Sequence, residues 1–542
     1  MKQILYNGKI YLEREKFAES VLIKDGIIAK VGMNEEIKKF ADTETELFDC
    51  KGNTVIPGFN DSHMHFTEWG ETMYQVRIND CKTIDEIISR CRIFVKEHPE
   101  RVKNGIHAIG WNQDLFINGA RMPDRFDLDQ VSTEIPIVLE RVCGHIVSSN
   151  TKIIQMLGLD KDSPQFPSGS FLTDEEGYPN GIYTGNACNI VKDLIPDFSI
   201  EERRSMVLES MKAAVARGIT SVQSNDVGTT FMDGPAAFKL FHDIYEKGEG
   251  LLRYRHQVCF NDLEDFKRYL SEGEFANGDY PEDSWLTLGP LKLFKDGSLG
   301  ARTALMRNGY ADEPSNHGLE WTSNEEMEEY CALAKNANLQ VITHVIGDAA
   351  IEQTIHCYEK AFVDGKNKLR HALVHCQITD QALLKKIAQE DILVMAQPIF
   401  LDYDMHVVED RCGKELASTS YAFHSLEKMG ARVSYGTDCP VEDCNPFPNI
   451  YEAVTRKDRT GFPAGGFYAD ECVDVYTAID AYTKESAYAE FMEAKKGRIQ
   501  EGQYGDLVIL DKDIFTVDST EIKDIKPLLT MVGGKIVFQS KF

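Results

Sequence analysis

Eight short apolar, β-rich runs recur along the middle of this chain, most of them separated by amphipathic stretches of helix length. The runs cover residues 54–56, 220–224, 253–260, 286–294, 340–345, 372–375, 392–396 and 433–436. The helical stretches include 200–217, 236–246, 324–337, 348–363, 380–389 and 425–430. This alternation predicts an α/β chain folded as a (β/α)8 TIM barrel, because parallel strands need crossovers and eight of them close a cylinder. An open doubly wound sheet alternates in the same way and stays in view until the polar residues are read. One connection is out of scale. More than 150 residues separate the first run from the second, against about 2–6 for an ordinary strand–helix loop. Residues 68–197 are therefore expected to form an inserted subdomain covering the active site, since the loops after barrel strands build that face.

Both ends of the chain read as short strands broken by turn residues: 3–6, 9–12, 20–23 and 27–31, then 507–510, 528–532 and 535–538. Asn7-Gly8 and Asp25-Gly26 are hairpin signals. Neither end alone has the strands for a core. A small β-sandwich shared by residues 1–53 and 491–542 is expected, with the barrel in 54–490.

Charge and cysteine usage narrow the partners. With 59 Lys+Arg against 87 Asp+Glu the net charge is −28, which disfavours nucleic acid and anionic membrane surfaces. No uncharged apolar run approaches ~18 residues, and the first nine residues lack the apolar core of a secretory leader. The 13 Cys are scattered with no CxxC pair, as free thiols of a reducing cytoplasm would be. The expectation is a cytoplasmic protein with a small-molecule substrate and no nucleic-acid or membrane partner. A homodimer is the default assembly.

The polar residues fall where a barrel carries its chemistry. After the first run, Asn60-Asp61-Ser62-His63-Met64-His65 sets two imidazoles at i and i+2, on one side of an extended chain. The fifth run ends on His344, the sixth ends on His375, and the eighth leads into Asp438. The fourth carries Lys292 inside an apolar strand. Imidazole and carboxylate donors at strand C-termini suit a divalent cation, zinc above all, with manganese, iron or cobalt accepted by the same set. An ammonium is a poor ligand, but a buried amine of depressed pKa can add carbon dioxide to form a bidentate carbamate.

Taken together, these motifs resemble the amidohydrolase superfamily and specifically its YtcJ-like branch, which includes N-substituted formamide deformylases. The similarity rests on Ile56-Pro57-Gly58-Phe59 running into His63-Met64-His65, and on Lys292-Leu293-Phe294-Lys295-Asp296-Gly297-Ser298-Leu299-Gly300. It continues through His344-Val345-Ile346-Gly347-Asp348, Val374-His375-Cys376-Gln377 and Gly436-Thr437-Asp438-Cys439-Pro440-Val441. Gly110-Trp111-Asn112-Gln113, Gly144-His145, Lys496-Gly497-Arg498-Ile499 and Gly505-Asp506-Leu507-Val508 extend it over the whole chain. The resemblance implies one or two divalent ions at His63, His65, His344, His375 and Asp438, with Lys292 carboxylated and bridging. It also implies hydrolysis of an amide, N-formyl or cyclic amide carbon–nitrogen bond. Metal-activated hydroxide would attack, Asp438 would act as general base, and a donor such as His145 would help hold the oxyanion. Two departures touch no ligand: Val374 and Cys376 stand where Glu and Ala are usual, and Thr437 where Ser is frequent.

Candidate substrate contacts are Trp69, Trp111, Gln113 and His145 in the insertion, and Arg302 after the fourth run, which equally suits an ion pair. His371 shares parity with His375 and reads as a packed core residue; as a zincin helix the pair would need Glu at Ala372. Lys295 is expected on the opposite face from Lys292, solvated or packed among helices, and Asp348 as a helix N-cap. An esterase, lactonase or phosphotriesterase on the same site stays open. A deaminase is disfavoured, because His344 is followed by Val345-Ile346-Gly347 rather than by a His-x-x-Glu pattern. A binding protein on a decayed scaffold is disfavoured too, since all six ligand positions are filled.

Overall fold

The computed structural model describes residues 1–117, 119–141, 145–166, 169–228, 234–278, 280–281 and 283–540. The chain divides into two compact units, Met1–Phe66 with Leu208–Phe542, and Thr67–Val207. The first unit holds eight strands hydrogen-bonded in sequential order: β1 Phe59–Met64, β2 Ile219–Val227, β3 Arg253–Val258, β4 Leu286–Phe294, β5 Val341–Val345, β6 Ala372–His375, β7 Leu393–Ala396 and β8 Val433–Tyr435. Every neighbouring pair is parallel, giving the nearly closed barrel of a TIM-like α/β fold.

The seam between β8 and β1 is bridged just past the strand ends. Asp438 N–H donates to His63 O at 2.9 Å, and His65 N–H donates to Cys439 O at 2.7 Å. Beneath them the wholly buried Asp61 accepts the Thr437 N–H at 3.1 Å and its hydroxyl at 2.6 Å. Gly436 permits the approach, since a Cβ there would sit 2.7 Å from His63 N and 2.8 Å from Asp61 Oδ1. The closure of the barrel therefore itself sets Asp438 beside His63 and His65.

The first barrel strand lies later than the sequence pattern indicates. Thr54–Pro57 pairs with Lys9–Glu13 and Leu507–Leu510 instead, and β1 begins at Phe59. The chain changes partners across one residue: Gly58 N–H bonds Asp506 O at 2.9 Å, while Phe59 N–H bonds Gly218 O at 3.1 Å. Only glycine fits that crossing, because a Cβ on Gly58 would lie 2.1 Å from Thr220 Oγ1.

Thr54–Pro57 belongs to a six-stranded sheet with Lys9–Glu13, Lys16–Ala18, Leu507–Leu510, Pro527–Val532 and Lys535–Gln539, so strands from both termini share one ladder. A four-stranded sheet contains Lys2–Tyr6, Ser20–Lys24, Ile27–Gly32 and Thr45–Asp49. Leu5, Val21 and Ile28 of the smaller sheet join Ile10, Val55, Leu507 and Leu529 of the larger in one core. Asp25-Gly26 closes a hairpin, with φ of 51° and 83°. Asn7-Gly8 does not: the strands on either side enter different sheets, because Leu5 and Ile10 both point into the core the two sheets share.

The second unit is built on a six-stranded mixed sheet containing Val76–Arg77, Ile106–Trp111, Ile137–Arg141, Ile146–Ser149, Gly169–Thr173 and Pro179–Gly185. Two apolar clusters form its core, one including Ile87, Trp111 and Leu128, the other Val147, Ile153 and Tyr183. Among the described residues no helix is long and apolar enough to cross a membrane.

Candidate metal centre

The C-terminal ends of β1, β5, β6 and β8 deliver histidines and a carboxylate to one place. His63 Nε2 and His65 Nε2 lie 3.3 Å and 3.4 Å from the same Asp438 Oδ1. Among the described residues these three form the group of His, Cys, Asp or Glu side chains that could hold a metal ion, with ligand atoms within 4.8 Å of one another. Ring contacts continue the cluster: His63 to His65 at 5.3 Å, His63 to His375 at 5.9 Å, and His375 to His344 at 4.5 Å. His375 and Asp438 hold left-handed backbone, φ 72° and 54°. Such conformations cost about 1–3 kcal/mol for residues other than glycine, and here they aim side chains at the barrel mouth.

Each imidazole is oriented by a fixed acceptor. Gln257 donates its amide to Ser62 O at 3.0 Å, so its Oε1, 2.6 Å from His63 Nδ1, accepts the ring proton. Gln397 repeats the device: its amide donates to Met395 O at 3.1 Å and its Oε1 accepts from His375 Nδ1 at 2.8 Å. His65 Nδ1 donates to Asn225 O at 3.2 Å. These three rings therefore turn Nε2 inward as a lone pair, while His344, whose Nε2 faces Gly297 O at 3.1 Å, is left with Nδ1. Asp296 buttresses that loop by accepting the N–H groups of Leu305, Ile346 and Gly347 at 2.8–3.0 Å. Burial pushes its carboxyl up to about 7 against those three bonds.

The electrostatics leave donors wanting a cation. Burial, reinforced by the Lys292 charge, holds His63 down at about 4 and His344 at about 3, so both are neutral ligands near pH 7. Burial and the neighbouring His344 push His375 down as well. The close approach of His63 and His65, with His375 beyond them, outweighs burial and holds Asp438 well below the usual carboxylate range. Lys292 is pushed down by burial to about 8, with its Nζ 3.8 Å from the centre of the Phe294 ring. His63 Nε2, Asp438 Oδ1 and Lys292 Nζ are all buried without a hydrogen-bond partner. A buried polar atom left unpaired costs about 1–3 kcal/mol, and one divalent ion would serve the imidazole and the carboxylate together. The donor set therefore fits the group.

The remaining sequence candidates take separate places. Trp69 is largely buried. Trp111 is wholly buried in its unit's core, its indole N–H donating to Leu139 O at 3.2 Å. Gln113 Oε1 accepts from Arg141 Nε at 2.8 Å. His145 is exposed, and Gly144 before it lies outside the described residues. Arg302 is ion-paired with Asp312 at 2.7 Å. His371 is a buried core residue whose Nδ1 accepts the Val341 N–H at 3.0 Å. Lys295 is buried and bonds Glu320, Thr322 O and Asn324 at 2.6–2.8 Å. Asp348 is not the helix cap expected of it; Gly347 holds that position, and Asp348 accepts the Arg307 N–H at 3.0 Å and pairs with its guanidinium.

Gln257, Gln397 and Asp296 escape a reading that looks for ligands. Gln257 near the end of β3 and Gln397 just past β7 do carry a signal, namely a polar side chain at the mouth of an apolar strand. Gln257→Leu removes the acceptor that fixes the His63 tautomer. Metal affinity should fall about 10–100-fold, the usual effect of losing such a partner, and the buried His63 Nδ1 and Ser62 O left behind should lower the stability of the metal-free protein by about 1–3 kcal/mol. Chelator competition titration measures it, and unchanged affinity would show that Gln257 orients nothing.

Known proteins resemble this chain over nearly its whole length. A model described as amidohydrolase family matches residues 46–538. The Bacillus subtilis protein YtcJ is 29% identical over 545 residues, covering 99% of this chain and 100% of its own. The N-substituted formamide deformylase of Arthrobacter pascens is 24% identical over 548 residues, covering 97% and 96%. A metal-dependent hydrolase of Pyrococcus furiosus, known from its crystal structure, superposes with a TM-score of 0.74 at 26% identity, covering 95% and 100%.

Proposed function

The chain belongs to the amidohydrolase family, and from this membership we propose that it is a metal-dependent hydrolase of a carbon–nitrogen bond in a small molecule. The bond class is amide, N-formyl or cyclic amide. The observation that carries the reading is the convergence of unpaired buried donors from β1 and β8 on one point, His63 Nε2 and Asp438 Oδ1. His63, His65 and Asp438 would hold the first ion. His344, His375 and a carboxylated Lys292 complete the set, with zinc the metal that imidazole and carboxylate donors suit best. When bound, such an ion acidifies a water and polarises a carbonyl.

The chain's own residues do the rest. Asp438 turns Oδ1 to the two imidazoles, leaving Oδ2 to take the proton from the attacking water and pass it to the departing nitrogen. Water oxygen bonds the carbonyl carbon, the carbon–nitrogen bond breaks, and acid and amine leave. Gln257 and Gln397 aim the His63 and His375 rings, and burial keeps both neutral. The phenyl ring of Phe400, stacked on His375 at 5.7 Å, covers one face of that imidazole.

The test is a screen of N-acyl and N-formyl amines, lactams and matched esters against protein reconstituted with zinc. Release of amine from at least one class, abolished by chelation and restored by metal, is the expected result. Turnover of esters alone would replace the proposed bond class with an esterase.

A further inference from the structure

Beside the cluster lies a cavity of 260 Å³ lined by Leu299, Ile346, Gln377, Phe400, Tyr403 and Val441, among others. Its walls tie it to the candidate ligands. Ile346 and Gln377 follow His344 and His375 by two residues, Val441 follows Asp438 by three, and Phe400 stacks on His375 at 5.7 Å. Leu299 and Ile346 are buried, whereas Tyr403 and Val441 are 60% and 65% exposed, an apolar hollow with an open lip.

Two acidic side chains also line it, and both are engaged. Asp404 accepts the Tyr421 hydroxyl at 2.5 Å, and Glu442 pairs with Arg459 at 2.6 Å. Among the described residues no basic side chain lines the cavity, and the Arg459 guanidinium behind Glu442 is already shared by Glu442 and Asp402, so the lining offers an entering anion two carboxylates in place of a cation. Gln377 is buried, yet its Oε1 has no hydrogen-bond partner, and an unmet acceptor favours a ligand that brings a donor. A dry apolar cavity of about 150 Å³ accommodates benzene, so 260 Å³ holds one ring and a short linker.

We propose that this cavity is the side pocket for an uncharged, ring-sized apolar substituent of the substrate, whose adjoining N–H or hydroxyl is read by Gln377 Oε1. The inference rests on the hydrolase reading for its placement beside the reacting bond, and it adds the class of substituent. Glycine 300 offers a clean probe. Gly300 has ordinary backbone, and a Cβ built there meets nothing nearer than Tyr403 Cε1 at 3.6 Å, so a side chain can start there without a clash and Gly300→Leu directs apolar bulk at the cavity.

The experiment measures binding and hydrolysis of N-benzylacetamide and of its ring 4-carboxylate by zinc-reconstituted wild type and by Gly300→Leu. Wild type should bind the neutral ligand at least about tenfold more tightly than the carboxylate. Gly300→Leu should lose at least about tenfold for the neutral ligand, with metal stoichiometry and unfolding midpoint unchanged. Equal affinity for the two ligands, no measurable binding of the neutral one, or full affinity in the variant would each overturn the pocket. If the binding difference holds and neither compound is cleaved, the pocket stands and these amides are excluded as substrates. If both are cleaved alike with no binding preference, the hydrolase reading stands and the pocket fails.

Discussion

Replacing Asp438 by Asn is expected to lower kcat by about 10²–10⁴-fold, the range a positioned general base supplies, at equal metal content. The side chain keeps its size and an oxygen able to face His63 and His65, which now lie 3.3 Å and 3.4 Å away. What it loses is the capacity to accept a proton. That capacity is guarded in the native protein: although burial works to neutralise the carboxyl, the two imidazoles and the field of His375 keep it ionised. Steady-state kinetics must be paired with metal analysis of the same samples, because Asp438 also serves as a ligand. Full turnover by a metal-replete Asn variant would move the base elsewhere.

The second large effect is expected at Lys292. The amine is wholly enclosed, has no hydrogen-bond partner, and is lowered by burial to about 8. A substantial neutral fraction therefore exists near that pH, and its lone pair can bond the carbon of carbon dioxide with loss of a proton. The product turns a repelling cation into a carboxylate-like anion facing His63 and His344, both of which feel the Lys292 charge. Lys292→Ala should reduce bound metal and turnover by at least about 100-fold. Propionate at millimolar concentration should restore part of both by placing a carboxylate in the vacated space, whereas Lys292→Arg should not respond. Undiminished metal and rate in Lys292→Ala would leave the lysine as a charge in the wall with no part in the site.

The residues gathered at this candidate site follow a simple position rule in the sequence. His344 and His375 terminate apolar runs, and Lys292 interrupts one, so polarity at a strand mouth stands out against the pattern. The His63/His65 spacing further declares a shared face. Other parts depend on contacts between distant segments. Nothing local in residues 54–64 reveals that the ladder partner changes at Gly58; that is decided by Asp506 and Gly218. Asn7-Gly8 has the composition of a hairpin, but the core shared by two sheets separates its strands. Gln257 and Gln397 matter through the orientation of amides held by Ser62 and Met395 carbonyls, which sequence spacing does not encode. Asp348 misleads for a related reason: Arg307, brought from a preceding loop, competes for the carboxylate.

The central claim is most directly tested by anomalous diffraction at the zinc edge from crystals of reconstituted protein. The geometry predicts a peak at the mouth of the barrel with His63 Nε2, His65 Nε2 and an Asp438 oxygen each about 2.0–2.2 Å away. Stoichiometric zinc located elsewhere, or those three side chains facing apart around an empty centre, would contradict it.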